Sequence, residues 1–308
     1  MTTTAISLSQ VSFSYGSRAA LRELSIDVPA GKLFGLLGPN GSGKTTLFRL
    51  LSTLLPLQSG EVSILGHDLK SQADQVRRLL GVTFQSPSLD PKLTVDENLL
   101  HQSRLYGLSP SHRKQRIDEV LKELGIIERR KDRVETLSGG LKRRVEIAKS
   151  LLHQPRILLL DEPSTGLDPA ARIDLWRFLD LIRQNGETTI ILSTHLMEEA
   201  DRCDTLALLS EGKLIAEGRP DELKSSLGSR FITIKSAELG SLADEIKSRL
   251  QVEVRTLPDE LRIEHSEAEK LLTPLLNSFG SRITQLTLGT PTLEDVFIQK
   301  TGYEFWRA

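Results

Sequence analysis

The sequence predicts an α/β protein with a parallel-sheet core, an antiparallel β layer and a helical insert, followed by a small α+β domain. Three observations carry this. Gly38-Pro39-Asn40-Gly41-Ser42-Gly43-Lys44-Thr45-Thr46 stands between the apolar run Leu33–Leu37 and a helical pattern, Leu47–Leu51. Two almost wholly apolar runs, Ile157–Leu160 and Thr189–Leu192, have the length and composition of parallel strands covered on both faces, with a helix through Asp174–Gln184 between them. Beyond about Ser229 the pattern changes to strand, helix, strand, strand, helix, strand.

Taken in order, Ile6 and Leu8, then Val11, Phe13 and Tyr15, alternate with polar residues and change phase between Leu8 and Val11. That predicts a half-buried strand with a bulge. Leu24, Ile26 and Val28 repeat the alternation, and Glu61–Leu65 adds another strand, so an antiparallel layer flanks the glycine-rich loop. Val95 to Tyr106 and Arg113 to Leu124 show helical spacing with charged outer faces, within an insert of about residues 86–150. Leu206–Leu209 and Lys213–Ala216 flank Ser210-Glu211-Gly212 as a hairpin closing the first domain. In the second domain we expect strands at 231–236, 252–256, 261–264 and 283–288, helices at 239–250 and 267–279, and a last helix over 292–300. The order βαββαβ is the split arrangement of ferredoxin-like domains. The expected domains are 1–228 and 229–308.

A chain of 308 residues has room for about two domains. Forty basic against forty-one acidic residues leave a formal charge of −1, which gives no electrostatic case for a nucleic-acid partner. Cys203 is the single cysteine, so an intramolecular disulfide and a Cys-built zinc or redox site are excluded. No apolar stretch approaches the roughly 18 residues that span a bilayer. The start, Met1-Thr2-Thr3-Thr4, lacks the basic-then-apolar layout of a secretory signal, and we expect a cytoplasmic protein whose membrane role comes through a partner.

The chemistry starts at Gly38–Thr46. Its glycines let the backbone turn its N–H groups inward, and with the positive end of the following helix they hold a polyphosphate. Lys44 then reaches the outer phosphates, and the Thr45 hydroxyl is placed for Mg²⁺. Ile157–Leu160 ends in Asp161 and Glu162, one suited to a metal held at the loop's mouth and the other to the attacking water. An isolated Asp-Glu more often caps a helix, and the upstream loop reverses that preference. Ser138-Gly139-Gly140 before a helical run makes a second anion-binding nest. One nucleotide does not need two nests in one chain, which suggests two chains sharing each nucleotide.

With these residues in hand, the chain resembles ATP-binding subunits of the ABC transporter family, with a P-loop NTPase ABC cassette over about residues 5–220. Six elements match in order: Tyr15, Gly38–Thr46, Gln85 in Phe84-Gln85-Ser86, Leu137–Leu141, Asp161-Glu162, and His195 ending Leu192–His195. Pro163–Asp168 resembles the loop that runs along the dimer seam of such proteins. The resemblance implies an ATPase acting as a head-to-tail homodimer, with two ATP at the seam and Mg²⁺ as cofactor. It makes Glu162 and His195 catalytic, and Thr45, Gln85 and Asp161 the metal contacts. Tyr15 stacks on adenine, although its position also suits a strand residue facing the core. Ser138, Gly139, Gly140 and Asp168 reach the nucleotide held by the other chain. His67, His101, His112, His153 and His265 are expected to be structural.

One departure is Leu141, where the family's signature usually has Gln, which puts a polar contact at the dimer seam in doubt. The tail, Pro291–Phe297 followed by Thr301-Gly302, resembles drug- and antibiotic-resistance exporter ATPases that work with separate ABC-2 type permeases at the inner face of the cell membrane. Soluble ATP-driven clamps for DNA repair or translation share the motifs, but they carry tandem cassettes or a long coiled coil. This chain has one cassette and no heptad run.

Overall fold

In the computed structural model, which describes residues 3–184, 187–227, 230–265, 267–303 and 305, the chain divides into two compact units. The first comprises Met1–Arg219 with Phe305–Ala308, the second Pro220–Glu304.

The first unit opens with β1 (Thr4–Tyr15), β2 (Arg18–Pro29), β3 (Leu33–Leu37), α1 (Lys44–Leu51), β4 (Ser59–Ile64) and β5 (His67–Asp68). It continues through α2 (Ala73–Leu79), β6 (Leu80–Thr83), α3 (Val95–Leu105), α4 (Pro110–Glu123), α5 (Gly139–Leu151), β7 (Ile157–Asp161) and α6 (Pro169–Gln184). It closes with β8 (Thr189–Thr194), α7 (Met197–Ala200), β9 (Thr205–Ser210) and β10 (Lys213–Gly218). The antiparallel layer has the order β2-β1-β4-β5, and the register of β1 slips between Leu8 and Val11, where the change of phase places a bulge. The six-stranded sheet has the order β10-β9-β3-β8-β7-β6, and only its edge strand β10 runs antiparallel.

The residues of β3, β7 and β8 are buried throughout, as a sheet covered on both faces demands. Phe34, Leu36 and Leu159 from this sheet, Phe48 and Leu51 from α1, and Ile6, Leu8 and Val62 from the antiparallel layer form one core. Each such side chain contributes about 1.5–3 kcal/mol on burial. In the insert, α3 starts on a capping box between Thr94 and Glu97, and α4 has Pro110 in its first turn. The helix α5 packs against α3 and α4 and also against β6, so one helix belongs to both insert and sheet. His153 follows α5, stacks on Tyr106 at 3.7 Å and lies 2.9 Å from the Leu80 carbonyl, a structural role as expected.

The second unit holds α8 (Pro220–Ser225), β11 (Arg230–Lys235), α9 (Leu239–Leu250), β12 (Arg255–Thr256), β13 (Leu261–His265), α10 (Ala268–Phe279), β14 (Gln285–Gly289) and α11 (Leu293–Thr301). Its antiparallel sheet has the order β12-β13-β11-β14, the ferredoxin-like arrangement. Ile232, Ile234, Leu261 and Ile263 meet Leu242, Ile246, Leu275 and Phe279 of the two helices in a separate core.

Several elements differ from expectation. The units divide at Arg219/Pro220 rather than at 228/229, a position outside the described residues, because α8 packs on α11 within the second unit. Helix α6 begins at Pro169, where Asp168 caps it, well before 174. The strand expected at 252–256 shortens to Arg255–Thr256, and that expected at 283–288 begins only at Gln285, after a 3₁₀ turn at Gly280–Arg282. The stretch Leu80–Thr83, which carries no alternation, is the edge strand of the parallel sheet. No helix among the described residues is long and apolar enough to cross a membrane.

The tail acquires a physical reading through Asp295. Its carboxylate accepts from the Thr292 amide and hydroxyl, both at 2.8 Å, and from Arg262 Nη1 at 2.5 Å, so it caps α11 and ties that helix to β13. Burial by itself pushes this carboxyl up, but Arg262 and Thr292 outweigh it and hold its pKa below the ordinary carboxylate value. A depressed folded-state pKa stabilises above the unfolded value, and the contribution is lost as pH falls through the folded one. Asp295→Ala is therefore expected to lower stability by about 2–3 kcal/mol at neutral pH, combining a lost cap with a broken half-buried pair. Urea unfolding of the full chain should show this difference shrinking in acid, and a difference unchanged by pH would contradict the ionic part.

Candidate active site at the strand edge

Parallel register brings the site together. Leu37 pairs with Thr194 across β3 and β8, and Asp161 pairs with Ser193 across β7 and β8. The next residues, Gly38, His195 and Glu162, therefore leave the sheet at one edge, the carboxyl end where α/β sheets place their ligands.

At that edge the chain passes from β3 into α1 through a loop that tolerates little side-chain volume. A Cβ on Gly38 would come within 2.4 Å of the Leu209 carbonyl and 2.5 Å of Ser42 Oγ. Gly43 has φ +105°, and a Cβ there would meet the Ala20 carbonyl at 2.7 Å. The first turn of α1 carries no acidic residue, so no side chain of that turn offsets the positive end of its dipole. Lys44 Nζ lies inside the loop and donates to the carbonyls of Gly38 at 2.6 Å and Pro39 at 2.9 Å. Burial lowers its pKa, while Glu162 and then Asp161 act to raise it. Ser42 Oγ is buried and finds no hydrogen-bond partner. A loop of this kind, with an orphaned hydroxyl and a buried ammonium, is built to receive an anion.

The two carboxylates diverge at the end of β7. Asp161 is buried and accepts from Ser193 Oγ at 2.5 Å. Glu162 has φ +44°, a left-handed conformation that costs a non-glycine residue about 1–2 kcal/mol. Its amide donates to Ser193 Oγ at 2.9 Å. Its Oε2 accepts from Thr165 Oγ1 at 3.1 Å and from Gln85 Nε2 at 3.3 Å, while Oε1 lies 3.3 Å from His195 Nδ1. The structure thus gathers Gln85, Glu162 and His195 around one carboxylate.

A cavity of about 930 Å³ opens over the loop and takes in Tyr15, Asn40, Gly41, Gly43, Lys44, Thr45, Thr46, Gln85 and Glu162. That size accepts a nucleotide. Tyr15 is 45% exposed and meets Phe13 edge-on at 5.0 Å, so its ring faces outward rather than into the core. Oxygen donors from Thr45, Gln85 and Asp161 suit Mg²⁺, which keeps few protein ligands and completes its shell with phosphate and water.

Ser138, Gly139, Gly140 and Asp168 lie apart from this cavity's lining. Ser138 caps α5, accepting from the Leu141 amide at 3.3 Å, and Gly140 packs against Ala171 of α6. Asp168 caps α6, accepting from the Ala171 amide at 2.9 Å. Gly139 instead lines a second cavity of about 400 Å³, which shares Gln85 and Glu162 with the first but includes no residue of Gly38–Thr46.

Sequence reasoning missed several residues. Arg18, Ala20 and Arg22 of β2 and Glu211 of the β9–β10 turn line the cavity. That turn is fixed to the loop, since the Gly212 amide donates to the Ser42 carbonyl at 3.1 Å and its carbonyl accepts from the Arg22 amide at 2.8 Å. The tight Gly16-Ser17 link, which pairs Tyr15 with Arg18, was the available signal for β2. Ser193 was passed over as a strand residue, yet its hydroxyl joins both carboxylate residues. Ser193→Ala should cost about 1–3 kcal/mol by leaving buried polar groups unpaired. Urea denaturation checks this, and unchanged stability would refute the bridging role.

Residues 21–165 match the ABC transporter family, and residues 218–301 match the family described as ATP-binding protein DrrA1-3-like, C-terminal domain. The chain is 40% identical to the Nod factor export ATP-binding protein I of Rhizobium etli, over 98% of this chain and 94% of the relative. It is 36% identical to the daunorubicin/doxorubicin resistance ATP-binding protein DrrA of Streptomyces peucetius, over 98% and 93%. The linearmycin resistance ATP-binding protein LnrL of Bacillus subtilis is also 36% identical, over 94% and 96%. Among solved structures, an ATP-binding subunit of an ABC transporter superposes with a TM-score of 0.66 at 29% identity, covering 73% of this chain and 94% of that one.

Proposed function

The chain belongs to the ABC transporter family as the ATP-binding and ATP-hydrolysing subunit of an exporter with a separate permease, and we propose that it works as a head-to-tail homodimer around two composite ATP sites. The observation that carries the dimer is the separation of the two nests. Gly38–Thr46 opens into a cavity that Ser138, Gly139 and Gly140 do not line. In a head-to-tail dimer Ser138 of the partner subunit caps the phosphate held by Lys44, and Asp168 lies at the seam.

In this reading Tyr15 stacks on the adenine, the backbone of Gly38–Thr46 holds the phosphates, and Lys44 neutralises the outer ones. Thr45, Gln85 and Asp161 would hold Mg²⁺, which would supply charge neutralisation at the phosphates. Glu162 orients the attacking water and takes its proton as the water oxygen bonds to the γ-phosphorus and the bond to the bridging oxygen breaks. His195 holds Glu162 and donates to the γ-phosphate. Release of phosphate weakens the seam, and the difference in affinity between open and closed dimers moves the permease. The tail's likeness to drug-resistance relatives favours a permease of the ABC-2 type, which holds this subunit at the inner face of the membrane and selects the cargo.

Glu162→Gln should retain ATP binding and lose steady-state hydrolysis by roughly 10²–10⁴-fold, the size of a general-base contribution. Unchanged ATPase activity in that variant would rule out the assignment. Ser138→Arg should abolish ATP-dependent dimerisation while monomers still bind nucleotide. Sedimentation showing an unaffected dimer with ATP would refute the shared site.

A further inference from the structure

Arg143 lies on α5 five residues after Ser138, and its guanidinium reaches away from the second nest toward the catalytic edge. Nη1 donates to the Phe84 carbonyl at 2.7 Å, Nη2 to the Asp161 carbonyl at 3.0 Å, and Nε to the Pro163 carbonyl at 3.0 Å. Two of these carbonyls flank Glu162, and the third precedes Gln85. One planar fork therefore holds the peptide that enters Glu162, which has a left-handed conformation, the peptide that follows Pro163, and the peptide that enters Gln85, which is hydrogen-bonded to Glu162.

The same helix face continues the grip. Glu146, buried one turn on, accepts from the Ser88 amide at 2.6 Å, the Ser88 hydroxyl at 2.7 Å and the Leu89 amide at 3.1 Å. Lys149 donates to the Ser88 carbonyl at 2.7 Å and its hydroxyl at 2.9 Å. The loop around Gln85 is thus fastened to α5 at both ends. These hydrogen bonds tie α5, which Ser138 caps, to the peptides that enter Glu162 and Gln85.

This has a consequence if each nucleotide is shared, as proposed above, on which the inference rests. Ser138 then serves one ATP site while Glu162 of the same chain serves the other. We propose that Arg143 is a positioning residue that couples the two composite sites, so that engagement of the second nest on one ATP sets Glu162 and Gln85 for hydrolysis of the other. Coupling of this kind appears as cooperativity in ATP and as a loss in kcat, with little change in nucleotide affinity.

The test uses the full-length chain with ATP and Mg²⁺, measuring nucleotide affinity, ATP-dependent dimerisation by sedimentation, kcat and the Hill coefficient. Arg143→Gln cannot supply three diverging donors, and it should keep affinity and dimer while kcat falls about 10²-fold, the cost of misplacing a reacting group by an ångström. Its Hill coefficient should fall to about 1. Glu146→Gln, which loosens the Ser88 end alone, should show the same pattern more weakly and keeps the test open should Arg143→Gln fail to fold. An unchanged kcat and Hill coefficient in both variants would overturn the coupling, as would a loss of affinity in step with kcat. Absence of an ATP-dependent dimer in the unaltered chain would instead strike the composite-site reading itself.

Discussion

The end of β7 sets the terms for the rest of the site. Along an extended strand successive side chains point to opposite faces, so Asp161 and Glu162 could not serve one reaction if the strand simply continued. The left-handed turn at Glu162 ends the alternation. Asp161 stays buried against Ser193, while Glu162 turns out to meet Gln85, Thr165 and His195. Strain at a reacting residue persists only where its surroundings over-determine it. Here they do: Ser193 holds the amide of Glu162, and Arg143 holds the carbonyls on either side.

Packing supplies the rigidity that this arrangement draws on. The three strands that deliver Gly38, Glu162 and His195 are buried along their whole length, and α1 is wedged between two sheets by Phe48 and Leu51. Lys44 is buried in the same region, and the carboxylates of Glu162 and Asp161 oppose the desolvation of its ammonium. By contrast, α5 packs on both the insert and the sheet, so in the proposed coupling it is the element that links them to the carboxylate edge. Rigid strands hold the groups proposed to react, and a shared helix carries the proposed coupling.

Much of this was legible in the sequence, for a physical reason. Loops that bind phosphate and strands that end in carboxylates restrict residue type at fixed spacing, so Gly38–Thr46 and Asp161-Glu162 could be placed without coordinates, while His195 came only with the family resemblance. Period-2 alternation likewise gave the bulge after Leu8. Short or unpatterned elements left no such trace: β6 is four residues at a sheet edge, and β12 is two. The domain boundary shifted because the packing of α8 on α11 is a contact over about seventy residues, invisible to local composition. Arg143 escaped for the same reason. Beside Lys142 and Arg144 it looks like one of three charges on a solvated helix, and only the fold shows that it alone turns inward on three carbonyls.

The central claim is that one chain supplies the phosphate loop and another the capping nest. The most direct measurement mixes two inactive chains, Lys44→Ala and Ser138→Arg, and assays the mixture for ATP hydrolysis. A head-to-tail pair of one chain of each kind retains one site with an intact Lys44 facing an intact Ser138, so the account predicts that activity reappears on mixing, lowered about 10²-fold because the Glu162 of that site lies on the chain whose own nest is blocked. A mixture no more active than the two chains assayed separately would contradict it.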